Sequence, residues 1–453
     1  MITTMLFGLL ILMSRFLEVD FAGPFVSGPL MNGRCSGASS GLEPGLCSSK
    51  EFGRGSSSRS QVAGASIVSP ESGWLRDHQC EKPSRSGVRV LLSDHVRPGV
   101  PGQSVEMKRA LAEASGGTLV IPKGGWYLEA EVDGALVPEA HTTIELQEGA
   151  ILQQEPTGLH SSTMIVLDAE DVHVRGEGTI RGDLRSHKVT TGDNTFLIWV
   201  RAGATGWTVV GPTLTESWGD GLYVGGVMGS GPVIGGCVDE IVADNNRRQG
   251  LSVTWSEDLV IGSGNKFINT GRLAKDLGLE RQFPTAGVDV EPNPWSWVHR
   301  MVVGGSTARN NVGAGWLVQG PWQARSSDVT FLGTRAVANG DPDEKGDTGR
   351  VGDGFSVKEG GFARLVDISA RSNAGSGVAV RGALSSERSL QGRVYAVGGV
   401  SVENVEYGWY FANQDQYVEE PSILVNVQAS ENRSGSLFSL SGDAYIAINP
   451  TDE

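Results

Sequence analysis

A short pattern of alternating apolar and polar positions recurs seven times between residues 220 and 440, each time after a glycine. The seven segments are GLYVG, GLSVT, GVDVE, GWLVQ, GFSVK, GVAVR and GWYFA. Their glycines lie 23 to 39 residues apart. Repeats of this length are typical of solenoids, in which each repeat stacks on its neighbours.

Placing the seven strands on top of one another sorts their residues into columns. Side chains along a strand alternate between its two faces. The inward columns are wholly apolar: Leu222, Leu251, Val288, Trp316, Phe355, Val378 and Trp409, then Val224, Val253, Val290, Val318, Val357, Val380 and Phe411. The outward columns are mostly polar: Tyr223, Ser252, Asp289, Leu317, Ser356, Ala379 and Tyr410, then Gly225, Thr254, Glu291, Gln319, Lys358, Arg381 and Ala412.

The pattern before residue 220 predicts earlier coils and a cap. A helical segment at 104–115 carries Val105, Ala110, Leu111 and Ala114 on nearby faces. We expect this helix to cover the open end of the stack, because an uncapped solenoid leaves unpaired strand edges. The predicted organisation is a low-pattern leader at 1–88 and a single solenoid domain at 89–453.

The leader sequence and the net charge of the chain indicate where the protein is located and which partners are disfavoured. Residues 5–13, MLFGLLILM, resemble the apolar part of a signal peptide, although no basic residue precedes them. A disordered leader is the alternative. The formal net charge of −15 argues against nucleic-acid partners and against anionic membranes, since both are polyanions.

Four cysteines are present, and three of them, Cys35, Cys47 and Cys80, lie in the leader. Their spacing fits no zinc motif. The expectation is a disulfide among those three and a buried free thiol at Cys237.

Asparagines precede several of the strand glycines. Asn245 and Asn246 precede Gly250, and Asn310 and Asn311 precede Gly315. Asparagine tolerates the left-handed backbone of a sharp corner and bonds its own turn. A structural role at the corners is therefore favoured over a catalytic one.

The run IPKGGWYL after a short helix, then GEGTIRGD, then repeated N-x-x-x-G strand units resemble the pectin-lyase-like superfamily. The resemblance covers about residues 89–445. It implies an all-β fold, a right-handed parallel β-helix with a short N-terminal capping helix, and extracellular polysaccharide as substrate. The Gly-His-Gly and Arg-Ile-Lys signatures of polygalacturonases are missing, as are the calcium-binding aspartates of pectate lyases, so no catalytic residue is transferred.

The strongest candidate for chemistry is the carboxylate pair Asp289 and Glu291, predicted to face outward from one strand. Residues i and i+2 of a strand lie roughly 6.5–7 Å apart, and carboxyl groups roughly 5–9.5 Å apart serve glycoside hydrolysis. Asp220 is predicted two coils earlier. Further substrate contacts are assigned to Arg247, Arg248, Gln249, Gln319, Tyr223 and Lys358. The alternative is an ion-pair ladder that holds coils in register.

Tryptophans accompany these strands. Trp218, Trp255, Trp295, Trp297 and Trp322 lie in or beside the same coils, where sugar stacking and loop packing are both open. Trp316 and Trp409 fall in an inward column and are predicted to be core.

No cofactor motif is present, and no metal site is assigned. The run DPDEKGD at 341–347 alternates acids like a calcium loop, but Lys345 occupies a ligand position, which favours a solvated loop. His299 is held in reserve as an acid or base.

These features favour a secreted glycoside hydrolase in which Asp289 and Glu291 form the acid/base or nucleophile pair and Asp220 assists. One alternative is a lyase or epimerase with Arg248 or His299 as the base. Another is a non-catalytic, carbohydrate-binding β-helix such as a phage tailspike on a virion. The expected partner is a polysaccharide or oligosaccharide, and the expected state is a monomer or a homotrimer.

Overall fold

The computed structural model describes residues 80, 87–189, 192, 194–280, 282–320, 327–341, 352–382, 392–412, 422–439, 445–448 and 451–452. Their strands form three long parallel sheets within one compact unit, Val68–Glu453. From Thr143 onward the chain visits the three sheets in turn, and most coils of the described residues add one strand to each sheet. The fold is a right-handed parallel β-helix, as the sequence predicts. The domain boundary at residue 88 stays a prediction.

Sheet 1 contains the first strand of the stack. In the described residues its strands are β1 (Arg89–Leu91), β2 (Thr118–Ile121), β4 (Thr143–Leu146), β7 (His173–Arg175), β10 (Thr208–Val210), β13 (Val233–Ile234), β14 (Cys237–Asp239), β17 (Ser256–Glu257), β18 (Val260–Ile261), β21 (Val298–Gly304), β24 (Ser327–Leu332), β27 (Gly361–Val366), β30 (Arg393–Val397), β33 (Ser422–Val425) and β36 (Tyr445–Ile448).

Sheet 2 follows it along each coil. Its described strands are β3 (Gly124–Leu128), β5 (Ala150–Gln154), β8 (Thr179–Arg181), β11 (Thr213–Thr215), β15 (Val242–Asp244), β19 (Lys266–Ile268), β22 (Thr307–Arg309), β25 (Arg335–Val337), β28 (Ser369–Arg371), β31 (Val400–Val402), β34 (Gln428–Ser430) and β37 (Thr451–Asp452).

Sheet 3 carries the seven glycine-led strands. Its described strands are β6 (Ser161–Leu167), β9 (Asn194–Val200), β12 (Asp220–Val224), β16 (Gln249–Val253), β20 (Val288–Val290), β23 (Trp316–Val318), β26 (Phe355–Lys358), β29 (Val378–Arg381), β32 (Tyr407–Ala412) and β35 (Gly435–Ser439).

The register of sheet 3 confirms the predicted columns. Leu222 pairs with Leu251, and the same column continues through Val288, Trp316, Phe355, Val378 and Trp409. All of these residues lie in the apolar core, and Trp316 and Trp409 are each 1% exposed. The polar columns therefore lie on the other face of the sheet.

The asparagine corners are structural, as predicted. Asn245 and Asn310 adopt the left-handed backbone, with φ of 55° and 57°. Asn311, next to Asn310, has a different role. It begins a ladder of five asparagine side chains that crosses successive coils. Each ladder side chain donates to the next one at 2.8–2.9 Å, in the order Asn311, Asn339, Asn373, Asn404 and Asn432.

The ladder also explains the strand glycines. A Cβ at Gly315 would come within 2.8 Å of both the Asn339 side-chain amide and the Gly354 carbonyl oxygen. Side chains essentially never approach this closely. Each strand of sheet 3 beside the ladder therefore has a glycine within one residue of its start.

The predicted N-terminal capping helix is present, but one of the apolar residues expected on its buried face is exposed. Helix α1, Ser104–Glu113, follows a 3₁₀ helix at Leu92–Asp94 and lies near β1 and β3. It buries Met107, Ala110 and Leu111. Val105, predicted on the buried face, is 67% exposed. Met107 takes that role because it lies one turn before the buried Ala110 and Leu111.

A second helix, α2 (Arg272–Asp276), lies in the long connection before β20. In the part of the chain that the structure describes, neither helix has the length and apolar character needed to cross a bilayer.

The cysteine prediction is wrong. Cys80 is bonded to Cys237, with Cα atoms 5.6 Å apart. Cys237 is therefore not a free thiol, and Cys80 does not pair within the leader. The error follows from the separation of 157 residues, which no local pattern reveals. Residues 1–79 of the leader and the acidic run at 342–347 lie outside the described residues.

Candidate active site

The candidate site lies on the outward face of sheet 3, on the strands β12, β16 and β20. The register aligns Asp220 with Gln249 and Ser252 with Asp289. Two carboxylate-bearing strands thus flank one strand that carries polar side chains. Parallel pairing at roughly 4.8 Å per strand places β12 and β20 roughly 10 Å apart.

Asp220 is completely buried at the start of β12. Its Oδ2 accepts hydrogen bonds from Ser252 Oγ at 2.8 Å and from Arg248 Nη1 at 3.2 Å. The guanidinium is itself mostly buried, with 19% of the side chain exposed. Asp220 therefore forms an ion pair that one additional hydrogen bond reinforces.

Asp289 is 1% exposed, although it lies on the face of β20 away from the core. Gln249 Nε2 donates to its Oδ2 at 3.0 Å, while no N–H or O–H donor among the described residues reaches Oδ1. Burial raises the pKa of Asp289 well above its usual range, the Glu291 charge raises it further, and Arg248 opposes both. This carboxyl group is therefore inclined to keep its proton.

Glu291 directly follows β20 and is exposed. Besides its charge, a hydrogen bond between the Glu291 and Asp289 side chains raises the pKa of Asp289. Positions i and i+2 of a strand project from the same face, so both carboxyl groups lie on the outward face of sheet 3. Asp289 and Glu291 are here called the acid dyad.

Tyr223 lies half-buried beside these groups. Its hydroxyl is 2.8 Å from Thr254 Oγ1. Burial raises the pKa of Tyr223, Thr254 lowers it, and the Asp220 charge raises it. The phenol therefore remains protonated and can act as a hydrogen-bond donor at neutral pH.

Arg247 is not on the ligand-facing surface that the sequence predicted. It is completely buried, its guanidinium lies 3.8 Å from the Trp218 ring centroid, and it donates to the carbonyl oxygens of Glu280 and Gly192. Trp218 is buried too, 2% exposed, and stacks on His187. Arg247 lies in the corner before β16, where it is covered by the connections that contain Gly192 and Glu280, whereas Arg248 pairs with Asp220.

Three of the predicted tryptophans form one group. Trp255 packs edge-on against Trp295 and Trp297, with centroids 5.0 and 5.5 Å apart. Trp255 is buried, whereas Trp295 is 37% exposed. Trp297 donates to Glu257, and His299 stacks on Trp297. His299 belongs to β21 of sheet 1, so it lies on a different sheet from the acid dyad.

Gln319 and Lys358 continue the outward column that begins at Thr254 and Glu291. Lys358 lies beside Arg381 in register, and both side chains are largely enclosed. Trp322 lies outside the described residues. Within the described ranges, no three His, Cys, Asp or Glu side chains converge in the manner of metal ligands.

Sequence reasoning missed Ser252 and Thr254 as site residues. Ser252 donates to Asp220, and Thr254 bonds Tyr223. Both lie in outward columns next to the chosen carboxylates, so the column pattern carried the signal. Small hydroxyl residues in a strand are common, and their type alone did not single them out.

No family model matches the sequence, and no curated protein matches it. Solved structures do. The A-module of a mannuronan C-5 epimerase from Azotobacter vinelandii is 13% identical, with a TM-score of 0.49, covering 80% of this chain and 99% of that one. A capsular polysaccharide depolymerase, a tailspike protein of Acinetobacter baumannii bacteriophage Fri1, is 11% identical, with a TM-score of 0.48, covering 82% and 65%.

A third match is the catalytic unit of a thermostable α-1,3-glucanase from Streptomyces thermodiastaticus. It is 11% identical, with a TM-score of 0.47, and covers 82% of this chain and 69% of that one. At identities of 11–13% and TM-scores below 0.5, these matches assign no activity to this chain.

Proposed function

We propose that this protein is an enzyme that degrades extracellular polysaccharide, and that it is a glycoside hydrolase acting on the outward face of sheet 3. One observation carries the proposal: the acid dyad, whose Asp289 has a raised pKa, and the ion-paired Asp220 flank a single strand. Pairs of carboxyl groups whose surroundings favour opposite protonation states are the usual basis of acid and base roles.

In this mechanism the dyad supplies the proton. Glu291 is the exposed member and contacts the glycosidic oxygen, while Asp289 behind it holds the proton that the dyad donates. Proton transfer to that oxygen accompanies cleavage of its bond to the anomeric carbon. The sugar hydroxyl leaves, and a water molecule completes hydrolysis at the anomeric carbon.

Asp220 is the second carboxylate, and its role is to accept a proton from that water. Its strand lies roughly 10 Å from the dyad's strand, close to the roughly 6.5–9.5 Å that inverting hydrolases use to admit a water molecule. Because Arg248 and Ser252 cover Asp220 in the free protein, the Arg248 side chain must turn toward the bound glycan. Catalytic contacts are often completed only in the substrate complex.

Elimination by a lyase or epimerase has less support. Its two proposed bases are engaged elsewhere, since Arg248 pairs with Asp220 and His299 lies on sheet 1. The non-catalytic alternative gives no reason for a buried carboxyl group with a raised pKa beside an exposed second carboxylate, a feature associated with functional sites. The Cys80–Cys237 disulfide supports a location outside the reducing cytosol.

The test measures reducing ends released from a panel of neutral and acidic polysaccharides. Glu291→Gln and Asp289→Asn are expected to lower the rate by roughly 10²–10⁴, the usual contribution of a general acid. The matched control is Glu129→Gln, an exposed carboxylate beside β3 in an early coil, which should retain full activity. Equal rates in all four proteins would refute the assigned roles.

A further inference from the structure

A row of positive charges lies on the outward face of sheet 2, on a different sheet from the candidate active site. Four exposed residues form this row, here called the basic stripe: Lys266 on β19, Arg309 on β22, Arg335 on β25 and Arg371 on β28. The middle residue of each of these strands is buried in the core, so the first and third residues face outward. None of the contacts proposed for hydrolysis involves this surface.

The register of sheet 2 places the four cations on successive coils. Lys266 and Arg335 lie two coils apart in one outward column. Arg309 and Arg371 lie two coils apart in the other. At roughly 4.8 Å per coil, the basic stripe runs for roughly 14 Å along the stack. A row of this length suits a linear ligand with repeated negative charges better than a single small anion.

Carboxylates do little to neutralise the basic stripe. Of the eight outward positions on its four strands, four are Lys or Arg and none is Asp or Glu, whereas only 37 of the 453 residues in the chain are Lys or Arg. Among the described contacts, the side chains of Lys266, Arg309 and Arg335 form no hydrogen bond or ion pair. Arg371 lies 3.9 Å from Glu403. The stripe is therefore a locally positive surface on a chain whose net charge is −15.

A groove of about 650 Å³ lies beside the later part of the stripe. Arg335 and Arg371 line it together with Val337, Val400 and the corner residue Asp367. Two guanidinium groups thus border one depression that contains a single carboxylate. The planar fork of arginine pairs well with oxyanions through two parallel hydrogen bonds. Apolar lining with a few charged groups is typical of ligand-binding grooves.

We propose that the basic stripe is a second carbohydrate-binding surface, which holds an anionic polysaccharide along sheet 2. The ligand is a linear glycan with a carboxylate or sulfate group on successive sugars, because the cations recur on successive coils. Arg335 and Arg371 bind its anionic groups in the groove, and Lys266 and Arg309 extend the contact toward the earlier coils.

Duplex nucleic acid fits this surface less well. Its charge density is high, one charge per roughly 1.7 Å of axis, and the acidic remainder of the chain opposes it on both sides of the stripe. The proposed binding goes beyond hydrolysis and does not depend on it, since the acid dyad belongs to sheet 3.

Affinity electrophoresis of the full chain tests this proposal, in gels that contain polygalacturonate, dextran sulfate, neutral dextran or double-stranded DNA. Glu291→Gln is the background, so that cleavage does not shorten the polymer. The test variant adds Arg309→Gln and Arg335→Gln. The control variant adds Arg97→Gln and Arg109→Gln, two exposed arginines at the N-terminal cap. Both variants lose two positive charges, so their mobilities should match in a gel without polymer.

The test variant is expected to bind polygalacturonate, dextran sulfate or both roughly 3- to 10-fold more weakly than the background at low ionic strength, the effect of two exposed ion pairs. The control variant should bind like the background, and added salt should reduce the difference. A loss confined to polygalacturonate supports carboxylate groups as the ligand, and a loss confined to dextran sulfate supports sulfate groups.

Equal affinities of the test and control variants in both anionic polysaccharide gels would overturn the proposal. An equal loss of affinity for neutral dextran would overturn recognition by charge. Retardation by DNA that exceeds retardation by either polysaccharide, and that the test variant loses, would overturn the assignment to a glycan.

Discussion

Asp289→Asn is predicted to stabilise the protein at neutral pH while strongly lowering its activity. In the folded state burial raises the pKa of the Asp289 carboxyl, so ionising it opposes folding. The asparagine amide keeps the same shape and accepts the Gln249 hydrogen bond through its oxygen. Its NH₂ group replaces Oδ1, which no donor reaches in the described structure, and can donate to Glu291.

The direction of the pH dependence follows from proton linkage. Because the folded protein binds this proton more tightly than the unfolded chain, wild-type stability falls as pH rises from about 4, the unfolded value, through the folded pKa. The amide that replaces the Asp289 carboxyl does not titrate, so the variant lacks this loss. The advantage of the variant is absent below about pH 4, grows across that interval and then stays constant.

Each pKa unit of elevation corresponds to about 1.4 kcal/mol. With about 2.1 cal/mol/K per residue over the roughly 365 residues of the solenoid, each unit is worth about 2 °C in Tm. Thermal unfolding of both proteins, followed from pH 3.5 to pH 8 by circular dichroism, measures the difference. A variant less stable than wild type at pH 7, or a Tm difference that does not change with pH, would refute the assignment of Asp289 as a destabilised, proton-holding acid.

Three further predictions concern the scaffold. Asn339→Ala removes an acceptor of the Asn311 backbone N–H and should lower the free energy of unfolding by about 1–3 kcal/mol, measured by urea unfolding. Asn432→Ala, at the half-exposed end of the ladder, should lower it less, and equal losses would contradict the ladder account. Gly315→Ala should cost about 1–3 kcal/mol through its 2.8 Å contacts, and a neutral effect would refute the close approach. Cys237→Ser should cost about 2–5 kcal/mol in non-reducing melts, and unchanged Tm would contradict the Cys80 bond.

The sequence predicts the fold well because period-2 alternation, glycine spacing and register are all local properties of the repeat. Inward and outward columns from Leu222 to Trp409 could be aligned without coordinates. The asparagine corners were also visible, since their spacing to each glycine is constant to within a few residues.

The site was less predictable because it depends on how corners turn side chains. Arg247 and Arg248 are adjacent in the chain, yet the first is buried against Trp218 and the second pairs with Asp220. The alternation of inward and outward side chains within a strand does not continue through the corner that contains Arg247 and Arg248. Asp289 was correctly assigned to the outer face, but its burial depends on Gln249 and neighbouring groups of other coils.

The most direct test of the account is mass spectrometry of the products formed in water enriched in ¹⁸O, with wild type and Glu291→Gln incubated on each polysaccharide. Hydrolysis by the acid dyad predicts saturated fragments that carry one ¹⁸O per cleaved bond, formed by the wild type and lost in the variant. Unsaturated fragments without ¹⁸O would contradict hydrolysis and establish elimination. Labelled fragments that persist in Glu291→Gln would contradict the role assigned to the acid dyad.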